Sequence, residues 1–335
     1  MVEVTVSAPG KVTLFGEHAI VYGEPAIVTA ISRRLYVKAK PRSDKNLKIS
    51  AMDLKIPGVI LTFVSDTGEL TLETDYGRVV SAVSYVKKAI ELAANYIGEF
   101  RGVNIEVRSS MPVGAGLGTS AAVAVATVAA YAYALGYELS RKEIAKLGHK
   151  TELEVQGAAS PMDTSIATYG GTIYIKPEKP EPIIEHLNLT EEYPLVIGYV
   201  ERKSTTKELV AKVRKLKEKK PEIIMPIIKL IGVLTENAKE ALKNGNVVEL
   251  GELMNINHGL LDALGVSTKE LNDLVYAARQ AGALGSKLTG AGGGGCMIAL
   301  APGRIAEVST AIDILGGQPM DARMSAEGLT VEVKE

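Results

Sequence analysis

Pro112-Val113-Gly114-Ala115-Gly116-Leu117-Gly118-Thr119-Ser120-Ala121 is the stretch around which the rest of the chain is ordered. Before it, Val103, Ile105 and Val107 alternate with Asn104, Glu106 and Arg108, the period-2 pattern of a half-buried strand. After it, an alanine-rich run through Leu135 suits a buried helix. The order is strand, glycine-rich loop, helix, with two hydroxyls where the helix begins. Glycines let backbone curl close to a ligand and turn several N–H groups inward. The first N–H groups of a helix lack internal partners, and the dipole there favours anions. Together these features make a phosphate seat. Thr119 and Ser120 can cap the helix, and a hydroxyl there can also reach a phosphate-bound Mg²⁺. A P-loop is excluded because no lysine follows Gly118, and a dinucleotide fingerprint fails because its last glycine position falls on Thr119. Taken alone, the segment is equally a tight turn feeding a capped helix.

Composition narrows the class. At 335 residues the chain exceeds the size at which single cores usually split, so two domains are expected. The stretch Lys176-Pro177-Glu-Lys-Pro180-Glu-Pro182 is the best linker candidate, which divides the chain into 1–180 and 181–335. A net charge of −1 gives no reason to expect nucleic acid or an anionic membrane as partner. One cysteine excludes an internal disulfide and fits a reducing compartment. The start has no basic-then-apolar signal region, and the run Ala121–Leu135 is shorter than the ~20 residues of a membrane span. A cytoplasmic protein is the expectation.

Outward from the loop, residues 3–8 and 25–40 read as strands, with Ala8-Pro9-Gly10-Lys11 breaking the first pattern. Asp75 to Tyr96 has helical spacing. Ser140-Arg-Lys-Glu143 is a capping box opening a helix to about Gln156. Pro161 disfavours helical geometry at Ser160, so Asp163 is expected on a loop or a new helix start. Thr172–Lys176 and 195–200 read as strands, and helices are expected near 206–219, 222–244, 246–262 and 267–282. A second glycine cluster, Gly290-Ala291-Gly292-Gly293-Gly294-Gly295, matches G-x-G-x-x-G but leads into the strand-like Cys296–Leu300. A dinucleotide loop runs into a helix, so that reading is rejected.

Three motifs now stand in order: Ala8-Pro9-Gly10-Lys11 with Gly16-Glu17-His18, the loop at 112–121, and Lys287-Leu288-Thr289-Gly290-Ala291-Gly292-Gly293-Gly294-Gly295-Cys296. In order and distance they resemble the GHMP kinase family, over nearly the whole chain. Asn255-Ile-Asn-His258-Gly259-Leu-Leu-Asp262 is similar to archaeal members acting on mevalonate. The chain departs from the family at Thr119, where serine is usual, and at Pro161, where many members carry glycine.

The resemblance implies a two-domain α+β fold, with an N-terminal ATP-binding domain, a ferredoxin-like C-terminal domain and the active site in the cleft between them. It implies ATP and Mg²⁺ as cofactors, mevalonate as substrate through its primary alcohol, and 5-phosphomevalonate as product. Alternatives are another kinase of the family, acting on phosphomevalonate or galactose, or a non-catalytic ligand sensor. A homodimer is the candidate assembly.

By resemblance, Asp163 is the catalytic carboxylate and Lys11 its partner; a carboxylate beside a cation is favoured in its charged form. Ser120 and Glu152 are the implied Mg²⁺ ligands. Pro112, Gly114, Ala115, Gly116, Leu117, Gly118, Thr119 and Ser120 are expected around the nucleotide, with Gly292 and Gly293 closing over it. Glu17, His18, Tyr22 and Thr206 are expected at the substrate, where Ala19-Ile20-Val21-Tyr22-Gly23 forms an apolar wall suited to a methyl-bearing branched acid. On pattern alone Glu152 is also a solvated helix carboxylate, Asp163 an N-cap, Lys11 a snorkelling lysine and His18 a core histidine. Tyr22 is likewise ordinary packing, Thr206 an N-cap and the second glycine cluster a plain turn.

Overall fold

The computed structural model describes residues 3–51, 59–64, 69–73, 80–112, 115–157, 159–178 and 181–334. Gly114 of the phosphate loop and the first residues of the helix expected from Asp75 lie outside the described residues. β1 (Glu3–Phe15) and β2 (Ala26–Pro41) pair antiparallel across a short 3-10 turn at Ala19–Tyr22. β3 (Asn46–Ala51), β4 (Val59–Val64), β5 (Glu69–Glu73), helix α1 (Val80–Ile97) and β6 (Val103–Ser109) follow. Then come α2 (Thr119–Ala134), α3 (Arg141–Gln156), α4 (Pro161–Tyr169), β7 (Thr172–Lys176) and β8 (Ile183–Leu187).

These strands form one sheet in the order β1-β2-β6-β3-β4-β5, with β7 on the other half of β2 and β8 on β7. The break expected at Ala8-Pro9-Gly10-Lys11 is a register shift: β1 continues to Phe15, and Ser32 and Arg33 of β2 are the unpaired residues that absorb the shift without ending the ladder. The proline-rich stretch at 176–182 connects the β7–β8 hairpin of this same sheet and does not carry the chain to the next one.

The second layer begins with β9 (Pro194–Val200). Helices α5 (Thr206–Lys219), α6 (Pro221–Lys243), α7 (Val247–Ala263) and α8 (Lys269–Gln280) precede β10 (Gly285–Leu288) and β11 (Gly295–Leu300). Helix α9 (Ile305–Ile314) and β12 (Gln318–Arg323) complete a four-stranded antiparallel sheet, ordered β10-β11-β9-β12, as in ferredoxin-like layers. β13 (Thr330–Lys334) returns to pair with β1. The fold is the expected two-domain α+β arrangement. Among the described residues no helix is long and apolar enough to cross a membrane.

Helix α2 is buried on nearly every side, which its alanines permit: they favour helix and let neighbours approach closely. It packs on α1, α3, β1 and β2. The approach of α3 depends on Gly148, where an added Cβ would lie 2.6 Å from Cγ1 of Val125. One turn beyond Gly148, on the same face of α3, comes Glu152. The small residue thus sets how close that carboxylate comes to the head of α2.

Candidate active site

A cleft of about 1130 Å³ lies at the head of α2, walled by both layers. Gly118 precedes the helix in the left-handed conformation (φ 70°), and no side chain caps the N-terminus. Thr119 instead donates to the Pro112 carbonyl at 3.5 Å, and Ser120 donates to Glu152 Oε1 at 2.8 Å. Neither hydroxyl takes the capping role open to it, so the first N–H groups of α2 remain an anion site.

Lys11 reaches this point from β1. Its backbone N–H donates to the Leu117 carbonyl at 2.8 Å, and its side chain runs past Gly118, where a Cβ would stand 2.7 Å from Lys11 Cγ. The Lys11 ammonium lies 3.2 Å from Asp163 Oδ1. Asp163 occupies the first turn of α4, capped by the Ser160 hydroxyl. Pro161 sits at the first helical position, where its missing N–H costs nothing. The proline therefore fixes the start of the helix that carries Asp163.

Glu152 is buried, reached through a helix whose Ser140–Glu143 capping box is fully formed. Burial raises its carboxyl to about 7; the Ser120 bond and the Lys11 charge oppose the rise and the Asp163 charge adds to it. Its Oε2 is buried without a partner. A hydroxyl oxygen beside an orphaned carboxylate oxygen is a hard donor pair. It fits Mg²⁺, which takes few protein oxygens beside phosphate and water.

The second glycine cluster forms the opposite wall. It turns β10 into β11, so the strand-to-strand reading is correct. A Cβ on Gly295 would lie 3.2 Å from the Ala115 carbonyl, so the two loops face each other closely. Gly292 lines the cleft, but Gly293 does not: its N–H is committed to the Val266 carbonyl and its own carbonyl to the Lys203 N–H. Pro112 and Leu117 likewise stand behind the wall, while Ala115, Gly116, Gly118, Thr119 and Ser120 are on it.

The expected substrate residues divide. Thr206 lines the cleft. The α5 cap is Thr205, whose capping box with Glu208 is complete, so the Thr206 hydroxyl is left to accept from Arg202 at 2.9 Å. Glu17, His18 and Tyr22 are not on the cleft wall. Glu17 forms a buried ion pair with Lys287 and accepts from Asn257 Nδ2 at 3.3 Å. His18 has a positive φ of 60° and its Nε2–H donates to the Ala291 carbonyl at 2.9 Å; burial lowers its pKa. Tyr22 lies beneath the Lys217 ammonium, 4.7 Å from the ring centre.

Sequence reasoning missed Arg202, Lys207 and Arg214 on the α5 side of the cleft, and Tyr85 and Gln156 beside Ser120. It quoted Lys287 without a role, although a lysine inside a short, buried strand signals an ion-pair partner. The run from Asn255 to His258 grips β10: Asn255 bonds Ser286 N and the Leu284 carbonyl, and His258 Nδ1 accepts from Leu288 N.

The chain is similar to known proteins in both of its halves. Residues 84–171 match the GHMP kinases N terminal domain, and residues 238–316 the GHMP kinases C terminal domain. A mevalonate kinase from Pyrococcus horikoshii is 54% identical over 334 residues, covering 98% of each chain. The crystal structure of the Methanococcus jannaschii mevalonate kinase superposes with a TM-score of 0.79 at 30% identity, covering 96% of this chain and 98% of that one. L. major mevalonate kinase in complex with R-mevalonate shares the fold, with a TM-score of 0.81 at 24% identity over 96% of each chain.

Proposed function

The chain belongs to the GHMP kinase family, and from that premise we propose that it transfers the γ-phosphoryl group of ATP to the primary alcohol of mevalonate, giving 5-phosphomevalonate and ADP. The observation that carries this reading is the convergence of two pairs, Lys11 with Asp163 and Ser120 with Glu152, on the uncapped head of α2.

The triphosphate rests on the N–H groups of that helix. The apolar end of the cleft, at Ile49, Val83, Val86, Val107 and Val123, receives the base. Asp163 takes the alcohol proton as the new O–P bond forms and the bond to the ADP oxygen breaks. In a loose transition state that transfer comes late, so the charge of Lys11 contributes beside the basicity of Asp163. Ser120 and Glu152 would hold Mg²⁺, which would supply positive charge against the developing phosphate charge. Arg202, held by Thr206, is the cation placed for the mevalonate carboxylate.

Glu17, His18 and Tyr22 act behind the wall: Glu17 fastens β10 through Lys287, His18 fastens the second glycine loop through Ala291, and Tyr22 packs the turn between them. The division into 1–180 and 181–335 serves as a first domain boundary, with β8 and β13 lent back to the first sheet. A homodimer remains our proposed assembly, checked by sedimentation velocity. ADP release measured with mevalonate, phosphomevalonate and galactose tests the substrate. Mevalonate should give the highest kcat/KM; a higher value for either competitor refutes the assignment.

A further inference from the structure

Tyr85 and Gln156 share a corner of the cleft with Ser120 and Glu152, and nothing in the reaction above uses them. Tyr85 comes from α1, Ser120 from α2, and Glu152 and Gln156 from successive turns of α3. Three mutually packed helices therefore meet at one set of four polar side chains. A serine hydroxyl has one proton and two lone pairs. Here the proton is committed to Glu152 Oε1. The Gln156 amide approaches the same oxygen at 3.5 Å, so the protein's donors gather on Oε1 while Oε2 stays buried and unpaired. Tyr85 is half-buried, with Ser120 and Gln156 as the polar neighbours of its hydroxyl.

A carboxylate with all its protein donors on one oxygen is oriented, and a serine whose proton is held by that carboxylate has its rotor fixed and its lone pairs left. We propose that Tyr85 and Gln156 are positioning residues for the divalent cation: they hold the Ser120 hydroxyl and the Glu152 carboxylate so that a Ser120 lone pair and Oε2 stay available to it. This rests on the reading of Ser120 and Glu152 as the metal-holding pair. Partners that orient metal ligands typically change metal affinity 10- to 100-fold when removed.

The test uses the full chain with Mn²⁺ as the probe, free Mn²⁺ being read by electron paramagnetic resonance in the presence of saturating ADP. Tyr85→Phe keeps the ring and removes the hydroxyl; Gln156→Met keeps the length and removes the amide. Each should raise the Mn²⁺ dissociation constant about 10-fold, with ADP affinity in EDTA and Tm both unchanged. Unaltered Mn²⁺ affinity in both variants overturns the proposal. So does an equal loss of ADP affinity in EDTA, which would make Tyr85 or Gln156 a nucleotide contact. Ser120→Ala separates the levels. If it weakens Mn²⁺ while the two variants do not, only the positioning role falls; if it too leaves Mn²⁺ binding intact, the metal pair falls with it.

Discussion

Replacing Glu152 by glutamine probes the buried corner through a proton. Burial lifts this carboxyl from 4.5 to about 7, and the residue is 3% exposed. The folded protein therefore holds a proton that the unfolded chain releases. The stabilising effect of that proton is complete below 4.5 and is lost as pH rises through 7, so the parent protein loses stability across this window. Integrating the shift gives a native-state penalty of about 3 kcal/mol at pH 8 and a little under 1 kcal/mol at pH 5.

Glu152→Gln carries no titrating proton. Any fixed cost of placing an amide against the orphan position is the same at every pH and cancels in the comparison. The stability of the variant relative to the parent should therefore rise by about 2.5 kcal/mol between pH 5 and pH 8. Urea unfolding of both proteins at several pH values, without nucleotide or metal, measures it. Mg²⁺ with ADP at pH 8 should then stabilise the parent more than the variant. A stability difference that stays flat from pH 5 to pH 8 refutes the reasoning, because it would mean that Glu152 titrates as an ordinary carboxylate.

Three further substitutions address the rest of the site. Asp163→Asn should lower kcat by about 10²–10⁴ with nucleotide affinity retained; near-normal turnover removes Asp163 from proton transfer. Gly118→Ala puts a side chain at φ 70° and within 2.7 Å of Lys11 Cγ. It should cost about 1–3 kcal/mol of stability and lower kcat by displacing the ammonium, as calorimetry and turnover will show. Lys287→Met leaves the buried Glu17 side chain without its cation and should cost about 3–5 kcal/mol. Adding Glu17→Leu should recover most of that loss in denaturant unfolding; no recovery would mean that the two side chains act independently.

Where local chemistry decides a structure, it could be read from the chain. The Ser140–Glu143 box, the helix started by Pro161 and the strand-to-strand turn at 290–295 all depend on neighbours a few residues apart. The first strand runs beyond residue 8, where its own pattern breaks, because Ser32 and Arg33 of the partner strand absorb the shift. β3 to β5, α9, β12 and β13 were passed over. For the site, Lys11, Ser120, Glu152 and Asp163 do meet. Glu17 carried the right chemical type, but its partner Lys287 is 270 positions away, and no periodicity announces such a pairing. Thr205 and Thr206 both line the cleft, and because Thr205 takes the cap the Thr206 hydroxyl is left to Arg202, a choice that either threonine could fill by residue type.

Lys287, Thr289 and Ala291 alternate along β10 and its exit, and each reaches the end of β1 or the turn after it. Lys287 pairs with Glu17, Thr289 bonds both the N–H and the carbonyl of Thr13, and Ala291 accepts from His18. The back of the cleft is thus a stitched seam. Parting it would strand an ion pair in the interior, and at about 3–5 kcal/mol that leaves fewer than about one molecule in a hundred unstitched. Entry and exit of reactants must swing at the front edge, as pages turn while the spine stays bound.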